Sequence, residues 1–403
     1  MKAMSPEKRR FFIASMFIST LQMAMFAPTP GIQKIKTQKF TDRSLADIQA
    51  AMMLPSVVAL FASILSSALI ARRILSKKAC VVIGTALMGL TAVAALVLHT
   101  SFWQLKLFSV LIGVGMGFLV GPLSSVMFDQ FNEEERRLSM GIQSAFINGG
   151  AIVLSVGGGL LAQAVWYGGY LMLLLAVPLV FVAVKYVPRD KPMEPPPVGA
   201  PRKKWNLPAA VFFYGVAAML NALINNVNGT NISTHLDNAR LGNTATAGVA
   251  TAIQMAGGVV MGLFFSRISA KLKDYTMPLA FVLYAVGYTL ISVGTFSLIV
   301  VFIGVFIAGM SMSLLVPQVL FGTSNCVSTE NSATAVAIVN SVLPGIGGYL
   351  SPIVFTNITE AIRPGSTVFR FQFVAGVALV VAAGLALAAS VRQKRSRRAQ
   401  PGA

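Results

Sequence analysis

Three asparagines, Asn221, Asn225 and Asn228, follow one another at i, i+4 and i+7 in an otherwise apolar run. That spacing puts their amides on one face of a helix. Each amide carries an acceptor oxygen and a two-proton donor, so the face suits the hydroxyl, amide or carbonyl groups of a neutral solute. Gln22, Asn148, Gln254 and Asn340 lie in other apolar runs and complete the set of candidate substrate-binding groups. A single amide in a membrane is more often an interhelical hydrogen bond worth about 0.6 kcal/mol. Three on one face point instead to a water-filled cavity.

The remaining reactive side chains do not assemble into catalytic patterns. The two histidines, His99 and His235, and the two cysteines, Cys80 and Cys326, have no metal-ligand spacing and form no disulfide framework. No phosphate-cradling loop and no triad spacing occurs, so neither an enzyme nor a bound cofactor or metal is expected. All 13 acids fall between the apolar runs or within about a turn of their ends: Glu7, Asp42, Asp47, Asp129, Glu133, Glu134, Glu135, Asp190, Glu194, Asp237, Asp274, Glu330 and Glu360. Membrane carboxylates are costly and usually serve as proton relays or cation sites, and their absence from span centres argues against a strong central cation site. Lys106 and Arg370 enter the outer ends of two runs, where snorkelling to the interface is expected. Met16, Met23, Met25, Met52, Met53, Met310 and Met312 add flexible apolar surface in the runs, of the kind that adapts to varied ligands.

The elements that must position these groups are membrane helices. The chain has 403 residues, 55% hydrophobic and 11% charged, against about 25% charged in a soluble domain, and its mean hydropathy is +0.74. The net charge of +19 would suggest nucleic acid in a soluble protein; here it falls between apolar runs, which makes the lipid bilayer the partner and excludes nucleic acid. At about 20 residues per span, twelve runs qualify: Phe11–Phe26, Leu45–Ile70, Ala79–Leu98, Phe102–Phe128, Leu138–Val165, Tyr167–Val187, Leu207–Asn231, Thr244–Ile268, Met277–Val293, Phe296–Phe321, Ala333–Phe355 and Thr367–Ala389. The first follows Lys8, Arg9 and Arg10 in the manner of a secretory signal peptide, but the eleven runs after it favour an uncleaved span. The expected fold is all-α, integral to the membrane, with two six-helix halves at 1–187 and 207–390. A Pro-rich basic linker joins them at 188–206 and a basic tail closes the chain at 391–403.

Orientation follows from the distribution of Lys and Arg. Eight of the 32 (Lys34, Lys36, Lys39, Arg43, Lys106, Arg240, Arg363 and Arg370) lie on one side of the twelve-span arrangement and the other 24 on the side of the termini. Both termini are therefore expected in the cytoplasm; only the first outer loop, with four cations, runs against the rule. The halves also repeat at an offset of 195: Ser67 maps to Gly262, Arg72 to Arg267, Lys78 to Lys273 and Glu135 to Glu330. Parallel six-span repeats characterise one large transporter class.

With this topology, the chain resembles the major facilitator superfamily over nearly its whole length. That family carries a Gly-x-Leu-x-Asp-Arg-x-Gly-Arg-Lys loop after its second and eighth spans. Here the copies run Ser67-Ala-Leu69-Ile-Ala71-Arg72-Arg73-Ile-Leu-Ser76-Lys77-Lys78 and Gly262-Leu-Phe-Phe-Ser266-Arg267-Ile-Ser-Ala-Lys271-Leu-Lys273. The basic residues are kept, and Ala71 and Ser266 stand at the acidic position. The resemblance implies gating, in which Arg72, Arg73 and Arg267 would bridge helix C-termini or the carboxylates Asp129, Glu135 and Glu330. Ser109 stands where drug antiporters of the family carry an arginine, and Asn148-Gly149-Gly150 and Gly157-Gly158-Gly159 lack their proline, departures that count against proton-coupled drug antiport. The expected protein is a monomeric permease of the cell membrane, bacterial inner or plasma, which moves a small neutral polar or amphipathic solute by alternating access. A lipid or amphipathic-drug translocase is the alternative within transporters; a non-transporting receptor or enzyme is the alternative outside them.

Overall fold

The computed structural model describes residues 5–189, 208–327, 335 and 338–398. Among them the regular structure is entirely helical. Eleven helical stretches are long and apolar enough to cross a bilayer. One, Thr244–Val293, is 50 residues long and holds both Thr244–Ile268 and Met277–Val293 of the twelve expected spans. The linker falls almost wholly on 190–207, outside the described residues, as does Glu330.

By its internal contacts the chain divides into two units, Met1–Asn206 with Thr244–Val249, and Leu207–Asn243 with Ala250–Ala403. The first contains α1 (Pro6–Ser19), α2 (Ile32–Gln38), α3 (Leu45–Ala71), α4 (Lys77–Val97), α5 (Phe102–Gln130), α6 (Glu133–Ala164), α7 (Gly168–Leu171) and α8 (Ala176–Tyr186). Its first span does not end at Phe26 as expected. The chain tightens into a 3₁₀ segment over Thr20–Phe26, with Met23 off helical geometry at φ −109°, and resumes as α2 to Gln38. Lys34 and Lys36 of the expected outer loop are thus helical. Polar side chains start the helices: Ser76 Oγ accepts from the Ala79 N–H at 3.0 Å, and Asn132 and Glu135 exchange backbone and side-chain bonds at the start of α6, each relieving orphan donors of a first turn.

The second unit contains α9 (Ala209–Asn238), most of α10 (Thr244–Leu272), α11 (Thr276–Val293), α12 (Leu298–Cys326), α13 (Leu343–Ser351), α14 (Asn357–Ile362) and α15 (Thr367–Arg398). Two wide π turns, Ile338–Val342 and Pro352–Thr356, flank α13. The second begins on a proline, which has no N–H to give the helix ladder. Several spans run past the expected bounds: α12 continues from Phe321 to Cys326, and α15 from Ala389 to Arg398, into the expected tail. α9 continues from Asn231 to Asn238, and the penultimate span continues from Phe355 to Ile362, which brings His235 and Glu360 into helix.

Glycines bring neighbouring helices together in each unit. A Cβ on Gly84 of α4 would lie 2.6 Å from the Gly115 carbonyl oxygen of α5, and one on Gly287 of α11 would lie 2.6 Å from the Gly304 oxygen of α12. In lipid there is no hydrophobic drive between helices, so small residues that let backbones meet supply the van der Waals contact. Each unit uses a glycine pair for the same job. Gly84→Val should therefore lower the thermal stability of the detergent-solubilised protein by about 1–3 kcal/mol through overpacking. Gly121→Ala, on α5 but with nothing within 4 Å of its Cβ, should leave the melting curve in place. Equal melting of the two variants would show that the pair does not set the helix spacing.

Candidate functional site

The aligned asparagines of α9 meet α10 and α11 in a continuous buried network. The Asn228 amide donates to Gln254 Oε1 at 2.8 Å, and the Gln254 amide donates to Asn225 Oδ1 at 3.0 Å. The Tyr284 hydroxyl reaches Asn221 Oδ1 at 2.9 Å and Asn225 Oδ1 at 3.2 Å. Tyr288, one turn further along α11, donates to the Ile224 carbonyl at 2.7 Å. Asn221, Asn228, Gln254, Tyr284 and Tyr288 are buried and Asn225 is half-buried. Helical spacing aligns the three amides on α9, and the one-turn spacing of Tyr284 and Tyr288 points the first hydroxyl at the amides and the second at the α9 backbone beside them. Neither tyrosine was an expected site residue; their i, i+4 spacing was the available signal.

The network is not fully satisfied. Asn228 Oδ1 is buried without a hydrogen-bond partner. An orphaned buried acceptor costs about 1–3 kcal/mol, so the site holds an acceptor that a hydroxyl or N–H donor can relieve.

The other expected binding residues fall elsewhere. In the first unit Gln22 and Gln143 both donate to Ser19 Oγ, at 3.4 and 3.0 Å; Gln143 was not expected. The Asn148 amide turns back to the Ser144 carbonyl at 2.8 Å. Asn340 is exposed on the first π turn. Between α1, α6 and α8 of the first unit lies an apolar cavity of about 630 Å³, lined by Phe17, Leu21, Phe146, Leu154 and Leu175 among others.

Of the expected gating residues, Arg72 and Arg73 lie in the turn after α3, Asp129 at the end of α5, Glu135 in the first turn of α6 and Arg267 near the end of α10. Arg72, Arg73 and Arg267 are exposed. Arg73 turns the chain after α3 at φ +59°, and Lys273 does so after α10 at φ +50°, a left-handed turn that glycine usually takes. Asp129 takes its 2.6 Å ion pair from Lys77, at the start of α4. Glu135 pairs with Lys8 at 3.4 Å. The Asn132 backbone N–H, aided by Lys8, holds the Glu135 carboxyl below the usual carboxylate range. The two carboxylates of the first unit are thus engaged by lysines of neighbouring segments.

Arg370 departs from expectation. It does not snorkel: it is fully buried and forks to three partners. These are the Glu360 carboxylate, Asn231 Oδ1 at 2.7 Å and Thr359 Oγ1 at 2.9 Å. A guanidinium buried this deeply is tolerable only when paired and hydrogen-bonded. His235 is buried too, between Thr367 Oγ1 and the Ile291 carbonyl, both at 3.0 Å. The carbonyl can only accept, which assigns the proton to Nε2 and makes Nδ1 the acceptor from Thr367.

Comparison with known proteins agrees with this architecture. The family model of the Major Facilitator Superfamily matches residues 11–352. The fold is similar to that of the nucleoside transporter NupG in a point-mutant form, with a TM-score of 0.77 at 15% identity over 94% of this chain and 99% of that one. It is similar to a bacterial homologue of the human lysosomal transporter Spinster, in an inward-facing and occupied conformation, with a TM-score of 0.71 at 17% identity over 96% and 98%. The POT family transporter PepTSo gives 0.72 at 14% identity over 97% and 99%. No curated protein matches the chain by sequence.

Tyr284 and Asn221 form the pair whose removal reads the network most directly. Tyr284→Phe strips the buried Asn221 oxygen of its donor and should destabilise the purified protein by about 1–3 kcal/mol. Adding Asn221→Leu should recover part of that loss, because both ends of the bond are then gone. A double-mutant cycle of thermal unfolding measures the coupling; strictly additive losses would place the hydroxyl outside the network.

Proposed function

The chain belongs to the Major Facilitator Superfamily, a family of transporters and not of enzymes, and on that premise we propose that it carries a small, neutral, polar or amphipathic organic solute across the membrane by alternating access. The observation that carries the substrate class is the amide–tyrosine network of α9, α10 and α11, with its unpartnered Asn228 oxygen. Neutral donors and acceptors recognise a polar solute without the cost of a membrane charge. In this reading Asn221, Asn225, Asn228 and Gln254 contact the solute or its water, and Gln22, Asn148 and Asn340 line its path. Arg72, Arg73 and Arg267, with Asp129, Glu135 and Glu330, bias the closed state of one side. Twelve spans in two six-helix halves, 1–187 and 207–390, rock about this region as a monomer in a bacterial inner or plasma membrane, with both termini, the linker at 188–206 and the tail at 391–403 cytoplasmic.

A second reading, the export of lipids or amphipathic drugs, is favoured by the apolar cavity of about 630 Å³ in the first unit. Its aromatic and aliphatic lining suits a hydrocarbon tail rather than a hydroxyl.

An uptake and export screen in proteoliposomes separates the readings by solute class. With a solute in hand, Asn225→Leu removes a donor and an acceptor at once and should weaken apparent affinity about 10- to 100-fold, on the order of 1–3 kcal/mol. Wild-type kinetics in a stable Asn225→Leu protein would assign these amides to helix packing alone. Topology has its own test. Reporters fused after Val187 and after Ala389 should both read as cytoplasmic, and an outside signal at either would remove the two-half arrangement.

A further inference from the structure

Outside the substrate site, the first unit carries a second cavity of a different character. It has a volume of about 560 Å³ and is formed where α1, α4, α5 and α8 end, with Lys8, Arg10, Lys78, Lys185 and Arg189 in its lining and Glu7 as the single carboxylate there. Lys8 is matched by Glu135, and the lining as a whole keeps a large excess of positive charge. A neighbouring cavity of about 540 Å³ shares Lys78 and Arg189 with the first and continues onto Ala79, Val82 and Ile83 of α4. The cations belong to the ends of helices long and apolar enough to cross a bilayer, or to the residues flanking them.

We propose that this composite cavity binds one anionic phospholipid, with the phosphate among Arg10, Lys78, Lys185 and Arg189 and an acyl chain along Val82 and Ile83. Two properties point to a lipid rather than to a free anion. The cationic chamber does not close on itself but opens, past two shared residues, onto an apolar wall. That order of charge and then hydrocarbon matches a phospholipid and offers nothing to inorganic phosphate beyond the first chamber. Lys185 also lies over the Tyr186 ring at 5.4 Å, an amphipathic arrangement suited to the membrane interface. Scattered topology-setting cations would need no such continuity between a cationic lining and an apolar groove. The assignment is independent of the transported solute.

Native mass spectrometry of the full-length protein, titrated with phosphatidylglycerol, phosphatidylcholine and inorganic phosphate, tests it. Phosphatidylglycerol should be retained in preference to phosphatidylcholine, with a stoichiometry of one. Each of Arg10→Gln, Lys78→Gln and Lys185→Gln should lower that preference about fivefold, as expected for one charge near an anionic headgroup. The triple variant should abolish it. Lys39→Gln, which removes the same charge from the loop between α2 and α3, should have no effect. Val82→Asn, which makes the groove polar without changing its charge, should weaken phosphatidylglycerol binding while leaving any binding of inorganic phosphate unchanged. Equal retention of the two lipids, an equal loss in Lys39→Gln, or competition by inorganic phosphate at matched concentration would each overturn the proposal. Should the triple variant not fold, the three single variants decide the question by the same fivefold losses.

Discussion

Inside a bilayer no water is available to satisfy a backbone N–H, a carbonyl or a side-chain amide, so every such group must find its partner within the chain. The structure follows from that constraint. It makes the described chain helical and turns Ser and Thr hydroxyls back on their own helices, as Ser15 does to the Phe12 carbonyl at 2.8 Å and Thr85 to the Val81 carbonyl at 2.8 Å. It also explains why polar side chains appear as networks rather than singly. Asn221, Asn225, Asn228, Gln254 and Tyr284 satisfy one another across three helices, and Arg370 gathers Asn231, Thr359 and Glu360. Among the described residues seven buried side-chain atoms lack a partner, mostly single Ser and Thr hydroxyls; Asn228 Oδ1 is the one that lies inside the amide network of α9, α10 and α11, and local satisfaction tends to fail where a site awaits a ligand.

The two units meet the same constraint with different chemistry. The first fills its interior with apolar side chains such as Phe108, Met52 and Tyr170 and carries an open apolar cavity beside Phe17 and Phe146. The second concentrates amides, tyrosines, a histidine and an arginine in and around α9. Yet each brings two neighbouring helices together through a glycine pair, Gly84 with Gly115 and Gly287 with Gly304, at different heights along the helices. Glycine contacts of one kind thus support interiors of different polarity in the two units.

Much of this was legible in the sequence because the signal is strong: long apolar runs, basic loops at one offset and amides at helical spacing all map directly onto helices. The asparagine face of α9 was readable from residue type alone, and Gln254 joins it as a candidate that proved to be in contact. Three features were not. Tyr284 and Tyr288 look like ordinary core aromatics until the facing helix is known. The continuation of the first span from Phe26 to Gln38 is hidden by Pro28, Pro30 and Gly31, which read as a loop but form a 3₁₀ turn. Arg370 reads as a snorkelling cation because its partners lie on α9 and α14, and Glu360 could be paired with it only once the penultimate span was seen to extend past Phe355.

The first outer loop shows why counting charges and placing them are different arguments. Lys34, Lys36, Lys39 and Arg43 oppose the charge rule that otherwise orients the chain. In the structure Lys34 donates to the Gln163 carbonyl in the last turn of α6, and Lys36 donates to the Thr41 and Arg43 carbonyls at 2.8 and 2.7 Å. A helix C-terminus exposes unpaired carbonyls and the negative end of its dipole, and a lysine ammonium with three donors satisfies several at once. Lys34 and Lys36 therefore answer a local need for donors, where a neutral segment would leave these carbonyls unmet. A positive charge committed to backbone carbonyls has a role in the fold whatever part it plays in orienting the chain, so a count of cations alone does not separate the two.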